Sequence, residues 1–175
     1  MRKPAFLSLL LAFSLSTQAQ EFPRLTKFAL AESGFEAYLP AYTDNLELSY
    51  SEDNSKVWSG DVTSGDLNFG VILVEFAEPL EEDAEMQVAL LESYLDYLQS
   101  QLDIAESAGY GRGHTLEDYP GVSGLLDFWM DSEGYNWQIK GWVSQKHLAV
   151  LLIGSFEEIN VNGANMFLNG IRFPE

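Results

Sequence analysis

The sequence predicts an α+β fold in which one long and one short helix pack on an antiparallel β-sheet. Before Pro79, apolar residues alternate with polar ones, as at Leu46, Leu48 and Tyr50, which is the period of a strand with one wet face. After Pro79, apolar residues recur at steps of three and four, which is the period of a helix. Strands and helices do not alternate regularly, so the pattern favours an antiparallel sheet over a parallel α/β architecture.

The predicted strands precede and follow the long helix. Segment 67–76 is apolar on both faces, with Phe69 on one and Ile72 on the other. Such a strand is typically covered on both sides of its sheet. The Gly-rich segment 104–116 is expected to be extended. The other predicted strands are 35–39, 46–50, 56–62, a hairpin of 122–130 and 135–144, 147–156, and a terminal stub at 171–174.

Two helices are predicted on either side of the later strands. The long one covers 84–102, and its acidic start suits the partial positive charge of a helix N-terminus. The short one covers 160–169, where Asn160 is a suitable N-cap and Gly170 is a suitable stop.

The start of the chain has the features of a secretory signal peptide. Residues 1–3 carry positive charge, an apolar run follows over 5–15, and small residues precede a cleavage site after Ala19. The apolar run is shorter than the roughly 20 residues that a membrane span needs. The expected divisions are a cleaved signal at 1–19, an N-terminal arm at 20–34 and one α+β domain at 35–175.

Composition limits the cellular compartments and the classes of binding partner that suit this chain. The chain has no cysteine, which excludes a disulfide framework and a lipid anchor, and suits a periplasmic or extracellular protein of a Gram-negative bacterium. Its 27 acidic against 9 basic residues argue against binding to nucleic acid or to anionic lipid. Cleavage removes two basic residues and no acidic one, which lowers the formal charge from −18 to −20. We expect an exported monomer without a membrane span after cleavage.

Three stretches resemble the PsbP-like fold, which is shared by extrinsic proteins of photosystem II and by small bacterial exported proteins. They are F-E-A-Y-L-P at 35–40, Y-P-G-V-S-G-L-L-D-F at 119–128 and F-L-N-G-I-R-F at 167–173. The resemblance covers most of the mature chain as an order of elements. It implies a PsbP-like sandwich with an accessory or binding role, and it transfers no catalytic residue.

Patterns for catalysis and metal binding are weak in this sequence. Ser123, with His114 or His147, lacks the Gly-x-Ser-x-Gly spacing of a nucleophile elbow. The six acidic residues between positions 75 and 85 are expected to form a solvated helix entrance. We predict no catalytic residue, no cofactor and no metal site. Two alternatives stay open, which are a small hydrolase with paired carboxylates and a calcium-stabilised structural module.

The binding surface is predicted around the Gly-rich run 109–114 and the hairpin turn 131–134. The run is expected to be a bent edge strand, and the hairpin beside the turn is rich in aromatic residues, most of them in the core and one or two at a rim. We expect binding rather than catalysis, to a protein or cell-envelope component that the acidic charge attracts. The candidate binding residues are Arg112, His114, Asp131, Glu133, Tyr135 and Trp137.

Overall fold

The computed structural model describes residues 22–174, which form ten strands and two helices. The elements are β1 (Thr26–Ala29), β2 (Glu36–Leu39), β3 (Glu47–Tyr50), β4 (Lys56–Ser64), β5 (Leu67–Glu75), α1 (Ala84–Gln101), β6 (Ile104–Ser107), β7 (Gly111–Leu116), β8 (Tyr119–Asp131), β9 (Asn136–Val143), β10 (His147–Ser155) and α2 (Val161–Leu168).

The strands form one large sheet and one small hairpin, and all their pairings are antiparallel. The large sheet has the order β3-β4-β5-β10-β9-β8-β6, and β7 also pairs with β8. The small sheet is the β1-β2 hairpin. β8 is long enough, at 13 residues, to pair with β7 along its first half and with β6 at its end.

The large sheet is covered on both faces, which creates two apolar cores. Helix α1 packs against β8 and β9 on one face, where Leu91, Leu95 and Leu98 are buried. Helix α2 and the β1-β2 hairpin lie on the opposite face, where Phe69 and Phe167 meet edge to face at 5.2 Å. The central strands β5 and β10 are apolar on both sides because each of their faces contributes to one of these cores.

Helix α1 approaches the sheet closely at Gly141. A Cβ atom at that position would lie 2.7 Å from Leu91 Cδ1, so a larger residue would push the helix outwards.

Side chains cap the start of each helix. Asp83 accepts hydrogen bonds from the backbone N–H groups of Glu85 and Met86 at the start of α1, and Asn160 accepts one from Gly163 in α2.

The predicted α+β class is confirmed, with an antiparallel sheet and one long and one short helix. Five elements lie within two or three residues of their predicted bounds. They are both helices, the two strands of the predicted hairpin and the doubly covered strand. The Gly-rich run forms an edge strand whose register shifts between Gly111 and His114, which matches the predicted bend. Trp129 and Trp142 are core residues, whereas Phe128 lies at a rim.

Segment 104–116 is extended as predicted, and it contains two strands, β6 and β7. Two segments differ from expectation. The described part of the expected arm contributes β1, which pairs with β2, and Leu30 there is fully buried. The terminal stub makes only an isolated bridge, between Arg172 and Glu36, because the following Pro174 cannot extend a ladder. The predicted signal peptide lies outside the described residues.

Candidate functional site

The six predicted binding residues divide between two positions along β8. His114 pairs with Gly124 in the first half of that strand, and Asp131 ends the strand seven residues further on. At about 3.3 Å per residue, these positions are about 23 Å apart. Arg112 lies with His114, and the other four residues lie together around the β8–β9 turn.

Arg112 and its neighbour Tyr110 tie the edge of the sheet to α1. A guanidinium nitrogen of Arg112 lies 2.5 Å from a carboxylate oxygen of Glu92. The Tyr110 hydroxyl donates a hydrogen bond to Asp96 and accepts one from the Gln99 amide at 3.2 Å. Burial and the bond to Asp96 raise the pKa of Tyr110, so its hydroxyl keeps its proton. The charge of Arg112 is therefore balanced within the molecule.

His114 contacts a buried lysine that sequence reasoning did not select. Lys140 is 5% exposed, its ammonium donates to the Asn169 side-chain oxygen at 2.7 Å, and it lies 3.2 Å from His114 Nδ1. The same ammonium lies 4.6 Å from the centre of a Trp142 ring. Among the described residues, Lys140 forms no salt bridge. The only available signal was a lysine in the predicted hairpin on the same face as Trp142.

The surroundings of Lys140 explain its protonation and its position. Burial lowers the pKa of Lys140 to about 8, and burial together with the nearby ammonium lowers the pKa of His114. Asn169 is the C-cap of α2, so the ammonium lies at the end of the helix that favours positive charge. The Trp142 indole also donates to the Leu168 carbonyl at 2.9 Å. This cluster fixes the end of α2 on the sheet.

Replacing Lys140 with methionine is expected to stabilise the protein by about 1–2 kcal/mol at neutral pH. Methionine removes a buried charge while it keeps similar volume, and the partly exposed Asn169 and His114 can bond to water. In the wild type, the folded state loses the Lys140 proton near pH 8 and the unfolded chain loses it near 10.5. The wild type therefore gains stability as pH rises through this window, and the variant lacks that gain.

Urea unfolding at pH 7 and pH 10 measures both effects. The stability difference between Lys140→Met and the wild type should shrink as pH rises. A difference that stayed constant across the window would contradict the burial of the charged amine.

At the second position, around the β8–β9 turn, aromatic side chains form a cluster on the face of the sheet that carries α1. The rings of Tyr135 and Trp137 lie 4.8 Å apart, and Phe156 meets Tyr135 edge to face at 4.8 Å. Gly154 makes room for this cluster, because a Cβ atom there would lie 2.3 Å from Tyr135 and 2.6 Å from Trp137. Burial raises the pKa of Tyr135, with a smaller contribution from Asp131.

The acidic residues of the β8–β9 turn have different roles. Asp131 accepts backbone hydrogen bonds from Glu133 and Tyr135, both at 2.9 Å, so its carboxylate holds the turn. Glu133 is exposed at the tip. Asp131 is therefore a positioning residue for the aromatic cluster rather than a free ligand group.

At the same end of the sheet, on the face that carries α2, is a groove of about 390 Å³, which we call the aromatic groove. Phe128, which lines it, is 47% exposed, and Phe156, which lies outside it, is 65% exposed. Such exposure is unusual for rings of this size. The indole nitrogen of Trp137 is buried and has no hydrogen-bond acceptor among residues 22–174. The groove is lined by Phe128, Trp129, Asn136, Trp137, Gln138, Glu157, Glu158, Ile159 and Val161.

A second groove, of about 490 Å³, lies at the opposite end of β8. Its charged lining residues are Glu82, Asp118 and Lys146, with His147 beside them. The His147 ring packs against Phe35 at 5.4 Å, and burial lowers its pKa, so the ring is neutral at pH 7. Two carboxylates and a neutral imidazole thus line this groove, which is where the hydrolase alternative can be tested.

Comparison with known proteins gives no family for this chain. Neither a protein-family model nor a curated protein matches the sequence. Within residues 22–174, no helix is long and apolar enough to cross a membrane. In the same part of the chain, no three histidine or acidic side chains are grouped so that they could hold a metal ion.

Proposed function

We propose that this chain is an exported accessory protein of the bacterial cell envelope, and that it binds a basic segment of a partner protein in the aromatic groove. One observation carries the proposal. The exposed Phe128 ring and two exposed carboxylates, those of Glu157 and Glu158, share the walls of a single groove.

This combination suits lysine and arginine side chains. Aromatic faces attract cations, with about 0.5–1 kcal/mol at exposed sites. Carboxylates accept short, charge-assisted hydrogen bonds from ammonium and guanidinium groups.

Export and an accessory role are supported by the sequence. A signal at 1–19 would direct the chain out of the cytoplasm, and the formal charge of −20 that remains after its cleavage would attract basic partners over a distance. The resemblance to the PsbP-like fold also favours binding without catalysis. That finer fold assignment is part of the proposal.

The test measures binding of short fluorescent peptides to the purified protein by anisotropy. One peptide alternates arginine with glycine, and the other alternates glutamate with glycine. We expect the arginine peptide to bind and the glutamate peptide to stay free. The affinity of the arginine peptide should fall about tenfold between low and high salt, because screening weakens charge attraction.

Two variants locate the site. Replacing Glu157 and Glu158 with glutamine should weaken the arginine peptide by about tenfold. The matched control replaces Glu32 and Glu117, which are exposed and lie outside the groove, and it changes the net charge equally. Equal losses of affinity in both double variants would show a nonspecific charge effect and would contradict the proposed site. Binding that does not respond to salt would overturn the electrostatic mechanism.

A further inference from the structure

The outer face of α1 carries an exposed apolar stripe. Met86, Leu90 and Tyr97 are 56%, 39% and 55% exposed. Their spacing, with Ser93 between the last two, places all four residues on one side of the helix. The stripe extends about 16 Å along the helix axis, which is three turns. Three large side chains aligned in this way form a continuous contact line rather than scattered surface residues.

A groove of about 520 Å³ adjoins the start of this stripe. Pro79 and Leu80 form one wall, and Met86, Ala89, Leu90 and Ser93 of α1 contribute to the lining. Hydrogen bonds hold the wall in place, since the Leu80 N–H donates to the Gln145 carbonyl at 2.7 Å and the Gln87 side chain donates to the Glu81 carbonyl at 2.8 Å. The groove is therefore preformed, which lowers the entropy cost of binding.

The charges at the start of the stripe have one sign. Helix α1 has no basic residue, and Glu85 lies in its first turn, whereas Glu92 further along is paired with Arg112. Glu81 and Glu82 are exposed just before the helix, at the same end as the groove. A second copy of this chain would bring like charges together along the two stripes, which is unfavourable. A partner with basic residues beside an apolar stripe is complementary to this acidic end.

We propose that this stripe and groove dock a basic amphipathic helix of a partner protein. Apolar side chains of that helix, at steps of three and four, would lie against Met86, Leu90 and Tyr97 in the manner of helix-in-groove recognition. Its lysine and arginine side chains would face Glu81, Glu82 and Glu85. This surface is separate from the aromatic groove, because α1 starts beside the β9–β10 turn and the aromatic groove lies at the other end of β9.

The test uses a synthetic peptide of leucine and lysine with helical periodicity and a scrambled peptide of the same composition. Affinity is measured by anisotropy, and helix formation on binding is measured by circular dichroism. We expect the periodic peptide to become helical and to bind about tenfold more tightly than the scrambled one. Equal binding of the two peptides would overturn the proposal, because it would mean that charge alone is recognised.

Variants separate the stripe from other exposed apolar residues. Leu90→Gln should weaken the periodic peptide about fivefold or more. Met166→Gln, on the exposed side of α2, is the matched control and should leave its affinity within about twofold. Equal losses in both variants would contradict the site. A wild-type dimer that Leu90→Gln dissociates, measured by light scattering, would instead assign the stripe to a second copy.

The proposals for the two surfaces can be contradicted independently of each other. The glutamine variant at Glu157 and Glu158 should weaken the arginine–glycine peptide and leave the periodic helical peptide unaffected. Leu90→Gln should have the opposite pattern. If each variant lost affinity for both peptides, the assignment of separate sites would be wrong.

Discussion

Replacing Asp127 with alanine is expected to lower the free energy of unfolding by about 3 kcal/mol or more. The Asp127 side chain is fully buried under α1 and accepts three hydrogen bonds. The donors are the Trp129 indole at 2.6 Å, the Ser107 hydroxyl at 2.7 Å and the Phe128 backbone N–H at 2.7 Å. Alanine would leave the buried indole donor without an acceptor and would open a cavity beside it.

Urea unfolding of two further variants tests this explanation. Asp127→Asn keeps the shape but places an amide N–H₂ against donors, so it should cost less than alanine but still more than about 1 kcal/mol. Ser107→Ala removes one partly exposed donor and should cost less than about 1 kcal/mol. A loss below about 1 kcal/mol for Asp127→Ala would mean that the hydrogen-bond network contributes little.

Replacing Gly154 with alanine is expected to disrupt the aromatic cluster. The added Cβ atom would lie 2.3 Å from Tyr135 and 2.6 Å from Trp137, so both rings must move. Overpacking of this kind typically costs about 1–3 kcal/mol. Because Trp137 lines the aromatic groove, the variant should also lose most of its affinity for the arginine–glycine peptide.

Gly70→Ala is the matched control for this prediction. Gly70 is opposite Leu152 in the neighbouring strand, and a Cβ atom there would meet Leu152 at 3.6 Å, which is an ordinary contact. The control should change stability by less than about 1 kcal/mol and keep peptide binding. Near-ultraviolet circular dichroism reports the ring environment directly. An unchanged aromatic signal in Gly154→Ala would contradict the predicted displacement.

Much of the fold could be predicted because its signals are local. The period of Leu91, Leu95 and Leu98 identifies α1, and the acidic N-terminus supports its start. Alternating residues on both sides of the 131–134 turn predict the β8–β9 hairpin. The strand β1 was not predicted, because its pairing depends on β2 and on the core around α2 rather than on its own short sequence.

The candidate site was less predictable, because its groups come from distant parts of the chain. Lys140 meets His114 across 26 positions and Asn169 across 29. Arg112 was proposed as a ligand group, but α1 brings Glu92 against it. Asp127 lies only four residues before Asp131 in the sequence, yet the indole of Trp129 and the hydroxyl of Ser107 occupy its oxygens.

By itself, the sequence determined the α+β class, the positions of both helices and the hairpin rich in aromatic residues, since periodicity and turn residues act over a few neighbours. Its composition also determined the strong acidity. The tertiary structure alone decided that the Gly-rich run and the hairpin turn are separate, that Lys140 is buried, and that one face of α1 stays exposed. These features depend on strand register and helix docking, which the packing of both cores selects over long distances in the chain.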